Sequence, residues 1–248
     1  DMFLESYRDI IFNGENLNSF TTGILNIGVY HRKRILFGML CCPSCLKDEI
    51  PYFKKEWRLS FSFGCSKCNC YLIDKCPNCK SSITFHRLET GDKEHILKHA
   101  LYTCWFCKYD LRKSVRFYSK DSVLAKYQKY IDQTIEKGYN DITPYSFAFF
   151  SVMVHLKNKL LTSSEKWNRI KIVTEDYFNI RITKNIDKNI YYTLDQRKEA
   201  YLLAFKILSK WPKNFIKIFQ GSYVRYSDFS KDFKDMPFWF ERQIKDLS

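Results

Sequence analysis

CCPSCLKDEIPYFKKEWRLSFSFGCSKCNCYLIDKCPNC, residues 41–79, holds eight of the ten cysteines in the 248-residue chain. Three Cys-x-x-Cys pairs lie inside it, Cys42/Cys45, Cys65/Cys68 and Cys76/Cys79, and a fourth, Cys104/Cys107, follows downstream. Such a pair turns the backbone tightly enough to present two sulfurs to one ion, and two pairs complete the tetrahedron that zinc demands. Cys42, Cys45, Cys65 and Cys68 enclose a 19-residue spacer, inside the usual zinc-ribbon range, and Cys76, Cys79, Cys104 and Cys107 enclose one of 24. The spacing predicts two sequential four-cysteine sites, though it also admits an interleaved pairing, first pair with third and second with fourth. Four thiolates leave no open position for water, so two structural Zn2+ ions are expected, contributing to folding and not to hydrolysis. Cys41 and Cys70 read as small buried apolar residues. Cys70 is close enough to Cys68 to exchange roles with it, and Cys68 is the expected ligand. His95 and His99, four apart in EHILKHA, read as an exposed pair on a connecting helix, because the thiols already complete both sites.

Composition narrows the function. A hydrophobic content of 45% is ordinary for a core-forming chain, and no run approaches about eighteen consecutive apolar residues. The opening DMFLESYRDI has neither the basic head nor the apolar run of a secretory signal. A cytoplasmic, nucleoid-associated location is expected, with no membrane partner. In that reducing setting, paired cysteines signify metal binding and not disulfides. The net charge of +14 is uneven: residues 31–120 carry eighteen Lys and Arg against eight Asp and Glu, while residues 1–30 are slightly acidic. Basic charge gathered in the cysteine region is the electrostatic footprint of a phosphate-backbone binder. Abundant Lys, Ile, Asn, Tyr and Phe is also what an AT-rich genome writes, so the local imbalance carries more weight than the total.

Candidate DNA contacts are the cations beside the cysteine pairs, Lys54, Lys55, Arg58 and Lys67, together with the run Arg32, Lys33 and Arg34. The alternative for each is a solvated surface, and for Arg58 also packing against Trp57 or capping a carbonyl. Phe238, Trp239 and Phe240 cannot all face one core from one helix, which marks them as candidate partner contacts. No Gly-x-x-x-x-Gly-Lys, no Gly-x-Ser-x-Gly and no acidic spacing suited to a two-metal nuclease occurs, so no enzymatic activity is expected.

Along the chain, residues 1–40 read as a lead-in with weak helical character at MFLESYRDIIF. Residues 41–118 read as a tandem zinc-ribbon domain in which the cysteine pairs alternate with the strand-like runs RLSFSF, CYLI and SITF. Residues 119–248 read as a helical domain. Val123, Leu124, Tyr127, Ile131 and Ile135 recur at helical spacing, with Gly138 as the stop. Thr143 and Pro144 open a buried helix that runs to about Leu161. Thr193 and Gln196 make a capping box for a helix ending near Lys210. Trp211 and Pro212 then turn the chain into another helix that stops at Gly221, a helical hairpin or helix-turn-helix-like corner. The expected fold class is therefore α+β, mostly helical: tandem four-cysteine zinc ribbons followed by an all-α, helix-turn-helix-like domain.

The residues around the cysteines carry a resemblance. Cys42-Pro43-Ser44-Cys45-Leu46-Lys47-Asp48, then Tyr52, Trp57 and Arg58, then Leu72 and Cys76-Pro77-Asn78-Cys79 come first. Arg197, Ala204, Leu208, Trp211, Pro212 and Phe215 follow far downstream. Their order resembles the TniQ/TnsD family of transposon target-selection proteins, some of which work with CRISPR effectors. Cys68 stands where that family commonly has His, a change between two zinc ligands, and the family's opening segment is short or missing here. The resemblance implies an adaptor without catalytic activity. Such an adaptor binds double-stranded DNA or a DNA-bound CRISPR effector complex, and recruits a TnsC-like AAA+ ATPase that passes the target to the transposase. Assembly as a homodimer is left open. Two alternatives are a direct, sequence-specific DNA reader of the TnsD kind and a zinc-ribbon transcription regulator unrelated to transposition; the chain's length favours the adaptor.

Overall fold

The computed structural model describes residues 6–11, 23–25, 39–84, 99–162, 168–182 and 192–247. These fall into two compact units. One unit takes in residues 23–25, 39–84 and 99–132; the other takes in residues 6–11 and everything described from 133 onward. Among the described residues no helix is long and apolar enough to cross a membrane.

Among its described residues the cysteine unit has little regular structure. Its sheet is a two-residue antiparallel pair, β1 (Gly64–Cys65) with β2 (Cys70–Tyr71), in which Gly64 faces Tyr71 and Cys65 faces Cys70. The strands expected over RLSFSF and SITF are absent from the described residues as regular elements. Leu59 makes only a single bridge, to Ile24, and Lys75 one to Ser82. The apolar side chains there do pack inward: Trp57, Leu59, Phe61 and Phe63 are buried. Their backbone, however, is satisfied by scattered bonds to other segments and to a side chain and not by a continuous ladder. The Ser60 N–H donates to the Gly23 carbonyl, and the N–H groups of Phe63 and Gly64 both donate to the Gln128 amide oxygen, at 3.1 and 3.2 Å. Chain that turns around a cysteine pair every few residues has no length left for a ladder.

Among the described residues, the first two α-helices are the short α1 (Arg8–Ile11) and the long α2 (Val123–Lys137), which carries Gln128. The predicted span of α2 and its stop at Gly138, where φ is +76°, are both present. The composition changes at residue 119, but the two units divide inside α2, between Asp132 and Gln133. The reason is burial: Tyr127 is fully inaccessible, its hydroxyl donates to the Phe61 carbonyl at 2.7 Å, and its ring lies 5.9 Å from Phe63. The first half of the helix therefore belongs to the cysteine unit.

The helical unit is built on α3 (Ser146–Leu161), which packs against α1, α4 (Arg169–Phe178) and α5 (Leu194–Leu208). Phe149, Phe150, Val152, Met153, Leu156 and Leu160 bury almost the whole circumference of α3, as its apolar sequence predicts. Residues 6–11 are integral to this unit and not a separate lead-in. Tyr7 and Ile11 are buried, and the Ser146 hydroxyl donates to the Ile10 carbonyl at 2.7 Å. At the start of α5 the predicted box is complete, Thr193 accepting from the Gln196 N–H and Gln196 from the Thr193 N–H. Ser209–Pro212 lead to α6 (Lys213–Phe219), with Pro212 at the cap. The unit is completed by α7 (Tyr226–Ser230) and α8 (Phe238–Lys245). Phe215, Phe219, Phe229 and Phe240 interlock with ring centroids 5.0–5.9 Å apart, mostly edge-on or tilted, as aromatic quadrupoles prefer.

Candidate metal centres and exposed cations

Two quartets of cysteines come together, Cys42, Cys45, Cys65 and Cys68 in one and Cys76, Cys79, Cys104 and Cys107 in the other, each with its sulfurs within 4.8 Å of one another. The pairing is thus sequential, and the interleaved arrangement is not formed. Repeated turns do the positioning. The Lys80 N–H reaches the Cys76 carbonyl at 2.9 Å, and the Lys108 N–H reaches the Cys104 carbonyl at 3.0 Å. Both lysines are left-handed with φ of 62°, as is Asn69 after the Cys65/Cys68 pair at 51°.

The geometry fits a tetrahedral ion. With metal–sulfur bonds of about 2.3 Å the sulfurs of a tetrathiolate stand about 3.8 Å apart. Cys45 lies 3.6 Å from Cys65 and 3.4 Å from Cys68; in the other quartet, Cys76 to Cys107 is 3.6 Å and Cys79 to Cys104 is 3.7 Å. Either quartet can hold a metal ion. All-sulfur tetrahedra suit zinc or iron, and with all four corners filled by protein they present no position for substrate.

Their protons are unevenly held. In the first quartet the hydrogen bond with Cys42 pulls the Cys65 thiol down to about 5 and pushes Cys42 far up. Burial pushes Cys45 up to about 12. In the second, burial pushes Cys104 up to about 12. Burial also opposes ionisation of Cys107, but the Asn78 amide donor at 3.5 Å and the Tyr109 N–H outweigh it and bring that thiol down to about 6. Cys65 and Cys107 thus ionise readily, and an entering metal displaces the protons of the raised thiols.

A dication among four thiolates leaves a net charge of about −2, and nearby cations answer it. Burial pulls the Lys54 ammonium down, but Cys45, Glu56 and Cys65 together hold it above its ordinary value; it stands 3.8 Å from Glu56. Lys67 pairs with Asp48 at 3.1 Å. Arg58 is half-buried, with burial lowering its pKa, and its carbonyl accepts the Leu25 N–H. Lys55 is exposed. Arg32, Lys33, Arg34 and His95 lie outside the described residues.

The most prominent cations lie elsewhere than the sequence reading places them. Lys113, Arg116, Lys120, Lys126 and Lys129 are all exposed; Lys113 lies in the field of Asp110, and the other four have no acidic partner among the described residues. The signal for them in the sequence is RKSVRFYSK, residues 112–120, with four basic residues and no acidic one. Of these four, Arg112 is tied to Asp110 by a bidentate pairing, its Nε donating to Oδ1 and its Nη2 to Oδ2. The segment is held rigidly beside the Cys65/Cys68 turn: the Tyr71 N–H donates to the Arg116 carbonyl and the Tyr118 N–H to the Asn69 carbonyl, both at 2.9 Å. Between them Phe117 is 67% exposed.

The candidate partner contacts separate. Phe238 is 74% exposed, Trp239 is half-buried against Trp211 at 4.9 Å, and Phe240 is fully buried. Phe240 is therefore a core residue. Two steps along a helix rotate a side chain by about 200°, which carries Phe240 round to Phe215 and Phe229 while Phe238 points outward. Compared with known protein families, curated proteins and solved structures, the chain matches none.

Proposed function

We propose that the chain is a non-catalytic target-selection adaptor of DNA transposition, of the TniQ/TnsD kind, with a structural zinc ion in each cysteine quartet. The observation that carries this reading is a closed pair of four-thiol sites that stiffens a unit whose 113–129 stretch exposes Arg116, Lys120, Lys126 and Lys129 without acidic partners among the described residues. Closed sites fix a surface and leave no coordination position for chemistry. Unpaired cations fixed in place release counterions when they meet phosphates, which is the driving force for duplex binding. Phe117 among them supplies an apolar contact. The motif resemblance supplies the biological role: the duplex, or a DNA-bound CRISPR effector complex, is engaged through the cysteine unit, and an AAA+ ATPase is recruited. In this reading α5 and α6 form the helix-turn-helix-like corner, and the exposed Phe238 contacts the ATPase.

The test combines duplex binding by anisotropy over a salt series with capture of the transposon's AAA+ ATPase, with and without duplex. Weak, sequence-tolerant binding is expected, with Arg116→Ala and Lys120→Ala each reducing the log–log salt slope by about 0.9. ATPase capture by the intact chain is expected alongside it. Tight, site-specific binding by the chain alone would replace the adaptor with a direct DNA reader, and loss of both activities would remove transposition from the account.

A further inference from the structure

We propose that the 113–129 stretch of the cysteine unit takes DNA as an unpaired strand in preference to a duplex, with Phe117 as the platform on which a base stacks. This rests on the reading of that stretch as a DNA contact. The backbone presents the ring outward. Phe117 bridges Cys70, and the bonds on either side, from the Tyr71 N–H to the Arg116 carbonyl and from the Tyr118 N–H to the Asn69 carbonyl, hold residues 116–118 as a short edge beside β2. Alternation along extended chain turns Tyr118 inward, edge-on to Tyr71 at 5.3 Å, and Phe117 outward. Among the described residues the Phe117 ring has no aromatic neighbour. Phe106, also exposed in this unit, differs in that its ring leans on Trp105 with centroids 5.7 Å apart.

What such a ring can bury itself against decides the form of DNA. The outside of a duplex offers it phosphates and sugars, because the bases are stacked on one another, and wedging the ring between base pairs first requires them to be unstacked. An unpaired base offers its face without that cost, and stacking on an aromatic ring tolerates any sequence because every base has a π-face. The cations complete the site. Arg116 precedes the ring, its guanidinium carbon 5.9 Å from the Tyr71 ring centroid, Lys120 follows it, and Lys126 and Lys129 carry the charge onto α2. None of these four has an acidic partner among the described residues. Since the main chain is tied down on both sides of Phe117, little conformational freedom is left to lose when a base settles on it. Charge alone would order the two forms the other way, because the duplex has the denser phosphate charge and releases more counterions for each phosphate neutralised. A preference for the single strand is therefore the signature of the ring and not of the cations.

The experiment is fluorescence anisotropy of the full chain with a labelled, mixed-sequence single strand and with the duplex made from it, each over a salt series. Wild type should hold the single strand about tenfold tighter than the duplex. Phe117→Ala should lose about that factor on the single strand, leave duplex affinity within about twofold and leave both salt slopes unaltered, while Phe117→Trp should keep the preference. Arg116→Ala should instead weaken both forms and lower both slopes. Wild-type binding of the duplex as tightly as the single strand, or Phe117→Ala weakening both forms alike, would overturn the proposal and leave the DNA reading in place. Loss of AAA+ ATPase capture in Phe117→Ala, with single-strand binding intact, would also overturn it by assigning the ring to a protein contact. Wild-type protein that binds neither form would overturn the DNA reading and the proposal with it.

Discussion

Replacing Gly64 by Ala tests how tightly β1 is fitted. Glycine here is needed for space, since a Cβ would come within 2.7 Å of Tyr118 Cε1, 2.8 Å of its Oη and 2.9 Å of its Cζ. Relief to ordinary contact at about 3.5 Å requires a shift of about 0.8 Å. The ring is poorly able to give way. Tyr118 is buried, its hydroxyl donates to the Cys65 carbonyl at 3.0 Å, its backbone is tied to Asn69, and its ring stands edge-on to Tyr71 at 5.3 Å. Losing the hydroxyl bond costs about 1 kcal/mol, and over-packing of this kind costs about 1–3 kcal/mol, so Gly64→Ala should destabilise the cysteine unit by about 2–4 kcal/mol. Urea unfolding of the cobalt-loaded protein, followed through its charge-transfer band, reports on this unit alone. The discriminating measurement is the double variant: in a Tyr118→Leu background, which removes the ring, Gly64→Ala should cost almost nothing, giving a coupling of about 2–4 kcal/mol. A Gly64→Ala cost that is below about 0.5 kcal/mol, or that is unchanged when the ring is gone, would refute the reasoning.

In the second centre, Cys76→Ser should lose one equivalent of metal by elemental analysis; retention of both would show the ligand assignment there to be wrong. Phe240→Ala opens a cavity among Phe215, Phe229 and Trp211 and should cost the helical unit about 3–5 kcal/mol. Phe238→Ala should stay within about 0.5 kcal/mol, and equal costs would contradict the orientation of α8. His155 is buried, stacked on Phe233 at 4.3 Å, and burial lowers its pKa from 6.5 to about 4, with Lys159 adding to the effect and the Phe229 backbone and Asp232 opposing it. The unfolded chain therefore takes up this proton first. Stability from the neutral ring is whole above about pH 6.5 and is lost as pH falls toward 4, in total about 3 kcal/mol. His155→Phe should flatten that part of the pH profile of unfolding, and identical wild-type and variant profiles would show that the ring is not held neutral.

Features set by neighbours in the chain are legible in advance. The Cys-x-x-Cys turns need only local backbone, and the Thr193/Gln196 box and the Gly138 stop depend on residues no more than a few positions apart. The apolar pattern of α3 likewise announces its burial. What escapes is decided at long range. Nothing around Gln128 predicts that its amide oxygen takes two backbone N–H groups from residues 63 and 64, yet that contact moves the unit boundary. The short strands escape because RLSFSF has a strand's side-chain pattern while its backbone bonds to a loop and a helix. Charge is read only in part: Lys54 has Glu56 two residues on, Lys67 meets Asp48 only through the fold, and Arg116 and Lys120 have no acidic partner among the described residues. Phe240 is hidden inside a run of three aromatics whose facing only the helix can assign.

The boundary inside α2 also bears on how such a protein can be shuffled. A crossover placed at residues 118/119, where the composition changes, would supply the cysteine unit with a foreign helix. It would strand the N–H groups of Phe63 and Gly64 and the carbonyl of Phe61 without Gln128 and Tyr127. Recombinants joined there should inherit metal-binding turns with a broken inner wall. Those joined beyond Lys137 carry the helix with the unit that it closes, so the heritable module reaches well past the end of its cysteine-rich texture.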